Sequence, residues 1–269
     1  MTTMRPTVNP ELIAVLKRLR LGRIVDTLPE RLVLAEKQDM TVDDLLLLVL
    51  SDEVSRRDSA AADLRARQAN LDPSMRLELW DKTAKVTFDK RMLAELTSLR
   101  FLQTNRHVVA LGPVGVGKTF IAQALGHLAC THGYNVCFTR ADDMLRRLKQ
   151  SRFDNSRDAE MIALTTVDLL ILDDFAIEAM SKEESKDIYQ LFLERTGTAS
   201  MIVTSNRDTS EWLAQSAVDR FKNAAYDFVI EGESYRPRLK PKLDAADVPP
   251  PSPAPKRKAH PRARARRRR

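Results

Sequence analysis

The spacing of apolar residues changes close to residue 100. Over the first hundred residues, apolar side chains recur every three or four positions, which is typical of amphipathic helices. The first stripe follows a helix start at Asn9-Pro10 and consists of Leu12, Val15, Leu16 and Leu19. Thr41 and Asp44 have the spacing of a capping box, and further helical patterns cover roughly residues 74–84 and 89–100. Residues 1–100 are therefore predicted to form a small helical domain.

From His107 onward, short apolar runs alternate with segments of helix length. The runs cover residues 107–111, 135–139, 168–172, 200–204 and 227–230. Strands that are apolar on both faces and alternate with helices are typical of a parallel sheet covered by helices. The predicted fold class is α/β, and this second domain spans residues 101–240.

Charge is distributed unevenly along the chain. The 269 residues include 44 Lys and Arg against 37 Asp and Glu, a net charge of +7. Nine of these basic residues and no acid lie in the Pro-rich segment 249–269, so the rest of the chain is slightly acidic. Low apolar content and like-charge repulsion predict a disordered tail over residues 241–269. Such a tail would add affinity for phosphates without sequence preference.

No sequence feature indicates export or membrane insertion. The N-terminus lacks the apolar core of a signal peptide, and the longest apolar run, Leu45 to Leu50, is too short to span a bilayer. The two cysteines and four histidines show no metal-ligand spacing. We expect a soluble, cytoplasmic protein with no membrane partner.

Residues 112–119 carry the strongest chemical signal. The segment matches the phosphate-binding pattern G-x-x-x-x-G-K-[ST] and consists of Gly112, Pro113, Val114, Gly115, Val116, Gly117, Lys118 and Thr119. It lies between a predicted strand and a predicted helix, where backbone N–H groups can turn toward a phosphate. Lys118 is expected to reach the β and γ oxygens of ATP, and the Thr119 hydroxyl to ligate Mg²⁺. The sequence thus predicts a site for ATP and Mg²⁺.

Two adjacent carboxylates follow the third apolar run. In ATPases with a phosphate-binding loop, the first acid at such a strand end holds Mg²⁺ through water, and the second polarises the attacking water. Asp173 is therefore assigned to the metal and Asp174 to the water.

Three further residues are candidates for a role in hydrolysis. Asn206 follows the fourth run and would orient the water, although Asn after a strand is also a common turn residue. Hydrolysis also needs positive charge near the γ-phosphate, commonly from an arginine of a neighbouring subunit, and Arg220 and Arg236 are the candidates. Both arginines are equally compatible with a place among surface cations.

Together, these blocks resemble the IstB/DnaC group of AAA+ ATPases, and its IstB branch more closely. The shared blocks are Leu71-Asp72-Pro73, the phosphate loop, L-I-L-D-D-F ending at Phe175, T-S-N-R at 204–207, S-E-W at 210–212 and E-G-E-S-Y-R-P-R at 231–238. The resemblance runs from about Leu12 to Pro241. It implies a bacterial AAA+ protein with a P-loop core whose parallel sheet has the strand order 5-1-4-3-2, preceded by the helical domain. It also implies that Asn206 is a sensor residue, Arg220 an arginine finger and Arg236 a second sensor.

The activity implied by the resemblance is ATP hydrolysis by a homo-oligomer on duplex DNA, which recruits or activates the transposase of an insertion sequence. Two alternatives stay open: a DnaC-like loader of a replicative helicase, and a nucleotide-binding module without hydrolysis. One departure from the group favours the module without hydrolysis. The stretch between Trp212 and Asp219 is shorter than usual in the group and could misplace Arg220.

Residues that contact DNA are predicted less directly. Four basic residues follow the second apolar run, where initiator-type AAA+ proteins carry a DNA-binding element: Arg146, Arg147, Lys149 and Arg152. A solvated helix face explains them equally well.

Overall fold

The computed structural model describes residues 8–175, 180–209, 212 and 215–239. Its helices are α1 (Pro10–Arg18), α2 (Ile24–Lys37), α3 (Val42–Gln68), α4 (Lys90–Thr97), α5 (Arg100–Gln103), α6 (Lys118–Thr131), α7 (Ala141–Ser151), α8 (Arg157–Thr166), α9 (Lys182–Arg195) and α10 (Gln215–Asn223). Its strands are β1 (Val86–Phe88), β2 (His107–Leu111), β3 (Val136–Arg140), β4 (Leu169–Asp173), β5 (Ser200–Ser205) and β6 (Ala225–Gly232). The chain divides into two compact units, the first ending at Tyr235 and the second beginning at Arg236. None of the described helices is both long and apolar enough to cross a membrane.

Both helix starts predicted near the N-terminus are confirmed. The side chain of Asn9 accepts a hydrogen bond from the Glu11 N–H, ahead of Pro10 in the first turn of α1. Thr41 and Asp44 form a reciprocal capping box at the start of α3. The sequence analysis did not identify α2, whose interior contains Pro29.

The helix predicted over residues 74–84 is wrong. The segment forms only a short 3₁₀ turn, Leu77–Leu79. Asp72 accepts hydrogen bonds from the N–H and hydroxyl of Ser74, and Asp81 does the same with Thr83. These side-chain turns give the backbone N–H groups partners other than those of a helix, although the apolar spacing is helical. The helix predicted over residues 89–100 is also interrupted, because Leu99 between α4 and α5 has a φ of 57°.

Within the described residues, the sheet has six strands in the order β1-β6-β2-β5-β4-β3. The five parallel strands β6-β2-β5-β4-β3 have the expected order 5-1-4-3-2, and each predicted strand lies within two residues of its observed bounds. The sixth strand, β1, was not predicted and pairs antiparallel with β6, with Val86 opposite Gly232. Through this pairing the segment after α3 lies at the edge of the sheet, and its Trp80 lies against Gly117 of the phosphate loop.

Apolar cores cover both faces of the sheet. Alternate residues of β4 enter opposite cores, with Ile171 on one side and Leu170 on the other. The first core contains the buried face of α6 and also Ala66 near the end of α3. The second contains buried residues of α7, α8, α9 and α10. The carboxyl ends of the parallel strands therefore emerge between two rigid layers, which fixes the backbone from which the candidate site is built. The predicted division between domains at residue 100 stays a prediction.

Candidate nucleotide site

The phosphate loop connects β2 to α6 in a conformation that depends on glycine. Gly117, the N-cap of α6, has a φ of 99°, and a Cβ added there would lie 2.8 Å from the Trp80 ring. Gly112 also has a positive φ, and a Cβ there would collide with the carbonyl oxygen of Ile230. The loop therefore lies directly against its neighbours, and its backbone leads into the N-terminus of α6, which favours anions.

Lys118 is held inside the loop by backbone carbonyls. Its Nζ donates hydrogen bonds to the carbonyl oxygens of Gly112 and Pro113, both at 2.8 Å, and the side chain is buried. The loop is also tied from outside, because the Tyr235 N–H donates to the Gly115 carbonyl at 2.8 Å. The Lys118 ammonium group is thus held inside the loop, where it can exchange these carbonyls for the oxygens of a bound phosphate.

Asp173 ends β4 beside Thr119, the last residue of the phosphate-loop motif. The Thr119 hydroxyl donates to its carboxylate at 2.9 Å, and the Thr204 hydroxyl on β5 donates at 2.6 Å. The pKa of the Asp173 carboxyl is raised, because the effect of burial exceeds that of the two hydroxyl hydrogen bonds, which lower the pKa. A carboxylate and a hydroxyl are the hard oxygen ligands that suit Mg²⁺. Thr119 and Asp173 thus fit the predicted metal.

Asp174 leaves the strand in a different direction from Asp173. Its φ is 55°, its N–H donates to the Thr204 hydroxyl at 3.0 Å, and its Oδ2 lies 3.2 Å from a guanidinium nitrogen of Arg140. Phe175, which follows, packs edge-on against Trp212 with ring centroids 4.7 Å apart. Thr204 therefore contacts both acids. The sequence analysis noted it only as the first residue of a shared block and assigned it no role.

Asn206 emerges from the sheet next to the phosphate loop. In the register of β2 and β5, Leu111 lies opposite Ser205, so the residues that follow, Gly112 and Asn206, leave the same edge side by side. The Ser205 hydroxyl donates to the Phe175 carbonyl at 2.8 Å and accepts from the Arg207 N–H at 3.1 Å, which fixes this turn. Asn206 itself is exposed.

An apolar pocket of about 110 Å³ adjoins the phosphate loop at Gly117. Its aromatic walls are Trp80, Phe120 and Tyr235. Trp80 packs edge-on against Phe120, with ring centroids 5.2 Å apart, and against Phe88 of β1 at 6.1 Å. An apolar pocket with aromatic walls beside a phosphate site suits a nucleobase. This pocket was not predicted from the sequence, since Trp80 lies in a segment for which a helix was predicted.

The two candidate arginines belong to elements that come later in the sequence than the acid pair. Arg220 is exposed on α10, whose next residue, Phe221, is buried and stacks on His107 and Phe192. Arg236 opens the short 3₁₀ turn Arg236–Leu239 in the second unit. Residues 210, 211, 213 and 214 lie outside the described residues, as does the predicted tail over 241–269, so the shortened connection before Asp219 stays an expectation.

The candidate DNA-binding residues differ in their surroundings. Arg146, Arg147 and Lys149 are exposed on α7. Arg152, after the end of α7, instead donates to buried Asp187 at 2.6 Å, so its guanidinium joins α7 to α9.

Comparison with known proteins gives consistent matches over most of the chain. The sequence pattern of the family described as IstB-like ATP binding protein matches residues 14–244. An insertion-sequence protein of Mycobacterium tuberculosis named for ATP binding is 35% identical over 242 residues, which are 87% of this chain and 96% of that protein. A protein of insertion sequence IS21 from Pseudomonas aeruginosa, also named for ATP binding, is 31% identical over 240 residues, 86% of this chain and 91% of that protein.

Solved structures share the fold. The replication initiator DnaA bound to AMPPCP and single-stranded DNA has a TM-score of 0.51 and 23% identity, over 61% of this chain and 51% of that one. Domain III of DnaA from Thermotoga maritima has a TM-score of 0.50 and 20% identity, over 61% of this chain and 68% of that one. These two likenesses concern the AAA+ fold alone.

Proposed function

The chain belongs to the IstB-like ATP-binding protein family, and we propose that it is an Mg²⁺-dependent ATPase that assembles on duplex DNA and recruits or activates a transposase. The observation that carries hydrolysis is the contact of Thr204 with both acids beside the phosphate loop. Binding alone needs only the loop. A second carboxylate held at a fixed angle is what catalysis of water attack requires.

The residues divide the work between binding and chemistry. Lys118 exchanges the carbonyls of Gly112 and Pro113 for the β and γ oxygens of ATP. Thr119 and Asp173 would hold Mg²⁺, which would supply positive charge to those oxygens. Asp174 polarises a water that attacks the γ phosphorus, while the bond from that phosphorus to the β–γ bridging oxygen breaks and ADP leaves.

Asn206 and the arginines complete the proposed machinery. Asn206 orients the attacking water from the end of β5. Exposed Arg220 reaches the γ-phosphate of a neighbouring copy, and Arg236 acts as the second sensor. This assignment requires a homo-oligomer, because an arginine finger acts in trans.

The proposed partners come from the relatives and from the charge distribution. Relatives named for insertion sequences support a transposase as the protein partner. Exposed basic residues on α7 and the basic segment 249–269 suit the phosphates of duplex DNA. Nucleotide would control assembly on DNA, and hydrolysis would reset it.

ATP binding and turnover, measured with and without duplex DNA, test this proposal. Lys118→Ala should weaken ATP binding by about 100-fold, because it removes a buried charged hydrogen-bond donor. Asp174→Asn, of the same shape, should leave ATP binding intact and lower kcat by about 100-fold. Lys186→Ala, an exposed lysine on α9, serves as the control and should change neither quantity. Absence of turnover at every protein and DNA concentration would instead support the module without hydrolysis, and equal DNA binding with and without ATP would contradict nucleotide control.

A further inference from the structure

Five aromatic rings form a continuous row through the second core. Between ring centroids, Trp212 lies 4.7 Å from Phe175, Phe175 lies 5.7 Å from Phe192, Phe192 lies 4.5 Å from Phe221, and Phe221 lies 4.6 Å from His107. Each of the five residues is at most 3% exposed. Because buried rings at these separations are in close contact, a displacement of one ring displaces the next.

One part of the row belongs to the segment of Asp174. Phe175 follows Asp174 directly, its N–H donates to the Thr204 carbonyl at 2.8 Å, and its carbonyl accepts the Ser205 hydroxyl at 2.8 Å. Asp174 itself has a φ of 55°, which is uncommon for a residue other than glycine and persists only where the surrounding contacts hold it. The contacts of Phe175 therefore help to hold the Asp174 carboxylate at its angle.

Phe192 of α9 joins this segment to helix α10. Its ring packs against Phe175 and stacks on Phe221, with an angle of 21° between the two stacked planes. Phe221 follows Arg220 directly and is completely buried, whereas Arg220 is exposed. The packing of Phe221 therefore sets where Arg220 lies on the surface. One packed row thus connects the Asp174 segment with the arginine proposed to serve another copy.

We propose that Phe192 is a positioning residue that couples the ATP site of one copy to the site of its neighbour. ATP bound beside Asp174 shifts the Phe175 segment, the row of rings carries the shift to α10, and Arg220 moves toward the γ-phosphate of the neighbouring copy. Occupation of one site thereby raises turnover at the next, so the rate depends on ATP concentration in a sigmoidal way. This coupling rests on the roles proposed above for Asp174 and Arg220.

The test measures ATP turnover of the full chain over a range of ATP concentrations, with saturating duplex DNA. For the wild type we expect a Hill coefficient of about 1.5 or more. Phe192→Leu keeps an apolar side chain but removes the ring contacts, and its Hill coefficient should fall to about 1. Phe228→Leu is the matched control, because Phe228 is a buried ring of the first core, packed on Phe88 with centroids 5.7 Å apart. It should keep the wild-type Hill coefficient.

Two further measurements separate communication between sites from assembly and from loss of structure. Each Hill coefficient is determined at a low and a high protein concentration, because assembly driven by ATP depends on protein concentration. A wild-type coefficient that falls to about 1 at the high concentration would assign the sigmoidal response to assembly and overturn the coupling. Urea unfolding shows whether the variants fold. If Phe192→Leu has no cooperative transition, Phe192→Met, which fills more of the space of the ring, takes its place and should give the same Hill coefficient of about 1.

The contrary outcomes separate the coupling from the proposed function. If the wild type hydrolyses ATP with a Hill coefficient of about 1, or if Phe192→Leu keeps the wild-type coefficient, the coupling is wrong and the ATPase assignment stands. If Phe228→Leu loses the sigmoidal response as well, a general loosening of the core explains the loss, and the coupling is overturned. If the wild type hydrolyses no ATP with or without DNA, the proposed function is wrong, and the coupling with it.

Discussion

A single hydroxyl, that of Thr204, organises the two acids of the candidate site. It donates to Asp173 Oδ1 at 2.6 Å and accepts the N–H of Asp174 at 3.0 Å. Thr204 is completely buried on β5. A change at this hydroxyl should therefore alter the orientation of both carboxylates, while Lys118 keeps its own hydrogen bonds within the phosphate loop.

Thr204→Val keeps the shape of the side chain and removes this hydroxyl. The Asp174 N–H then loses its acceptor, and a buried unpaired donor costs about 1–3 kcal/mol. We expect ATP affinity to stay within about twofold and kcat to fall by about tenfold or more. Steady-state kinetics on Thr204→Val and on Thr204→Ser, which keeps the hydroxyl, measures this. Equal loss of activity in both variants would assign the effect to packing instead.

His107 is a second residue whose environment has measurable consequences. It is completely buried at the start of β2, where its Nδ1 accepts the Met201 N–H at 3.2 Å. Burial, together with the positive charges of Arg195 and Arg106, lowers the pKa of His107 to about 4. In the unfolded chain the pKa of His107 is about 6.5. The folded chain, in which this pKa is lower, therefore binds a proton at His107 less readily than the unfolded chain does.

The stability that neutral His107 confers should be complete above about pH 6.5 and decrease as the pH falls from there toward 4. At pH 5 the expected loss is about 2 kcal/mol, from the difference between the two pKa values. Urea unfolding at pH 7.5 and pH 5 measures it, with His107→Asn as the variant that cannot titrate. The free energy of unfolding should fall less with pH in His107→Asn than in the wild type. Parallel pH dependence in the two proteins would show that His107 is not the responsible group.

At the scale of elements, the segment between α3 and α4 differs most from the helix that was predicted there. It forms a 3₁₀ turn and then β1, and it carries Trp80 to the phosphate loop. The pocket between Trp80, Phe120 and Tyr235 is the candidate position of the adenine base. We therefore expect recognition of the base to involve a segment that precedes the AAA+ core in the chain.

Trp80→Ala should weaken ATP binding by about tenfold, because stacking of a base on an aromatic ring contributes about 1–3 kcal/mol. Binding of inorganic tripolyphosphate, which has no base, should be unchanged. Competition binding against a fluorescent ATP analogue compares the two ligands. If Trp80→Ala weakens tripolyphosphate binding to the same degree, Trp80 supports the loop at Gly117 and does not contact the base.

Elements whose signals are local were predictable from the sequence. The capping box of α3 and the five apolar runs of the sheet depend on residues within one segment, and the strand order followed from the family resemblance. The phosphate loop also has a local pattern. By contrast, β1 exists because it pairs with β6, more than a hundred residues later, and Thr204 and Arg140 contact the acids across strands. Such long-range contacts leave no periodicity that a single sequence could reveal.

At the scale of the whole molecule, the position of Arg220 bears on assembly. The arginine is exposed, while its neighbour Phe221 is completely buried between His107 and Phe192. This anchor holds α10 against the sheet and α9 with Arg220 on the outside. Such an arrangement suits an arginine that serves the nucleotide of another copy.

Mixing two inactive variants tests that arrangement. Lys118→Ala should bind ATP about 100-fold more weakly but carries Arg220, and Arg220→Ala should bind ATP but lacks the arginine. Together, in the presence of DNA, they should recover about a quarter of the wild-type turnover, because one orientation of a mixed pair joins an intact ATP site to an intact arginine. ATPase assays over a range of mixing ratios measure the recovery. Activity no greater than the sum of the separate variants would mean that Arg220 does not act in trans.

The two tryptophans of the chain contact different residues around the candidate nucleotide site. Trp80 lies against Gly117 on the base side, and Trp212 packs against Phe175, two residues beyond Asp173. Their intrinsic fluorescence can therefore report on two parts of the site without any added label. Emission from Trp80 should change when the base binds, and emission from Trp212 should change when the residues around the carboxylates rearrange. Replacing Trp80 with Phe separates the two signals, so binding and the step after it can be timed in one stopped-flow experiment.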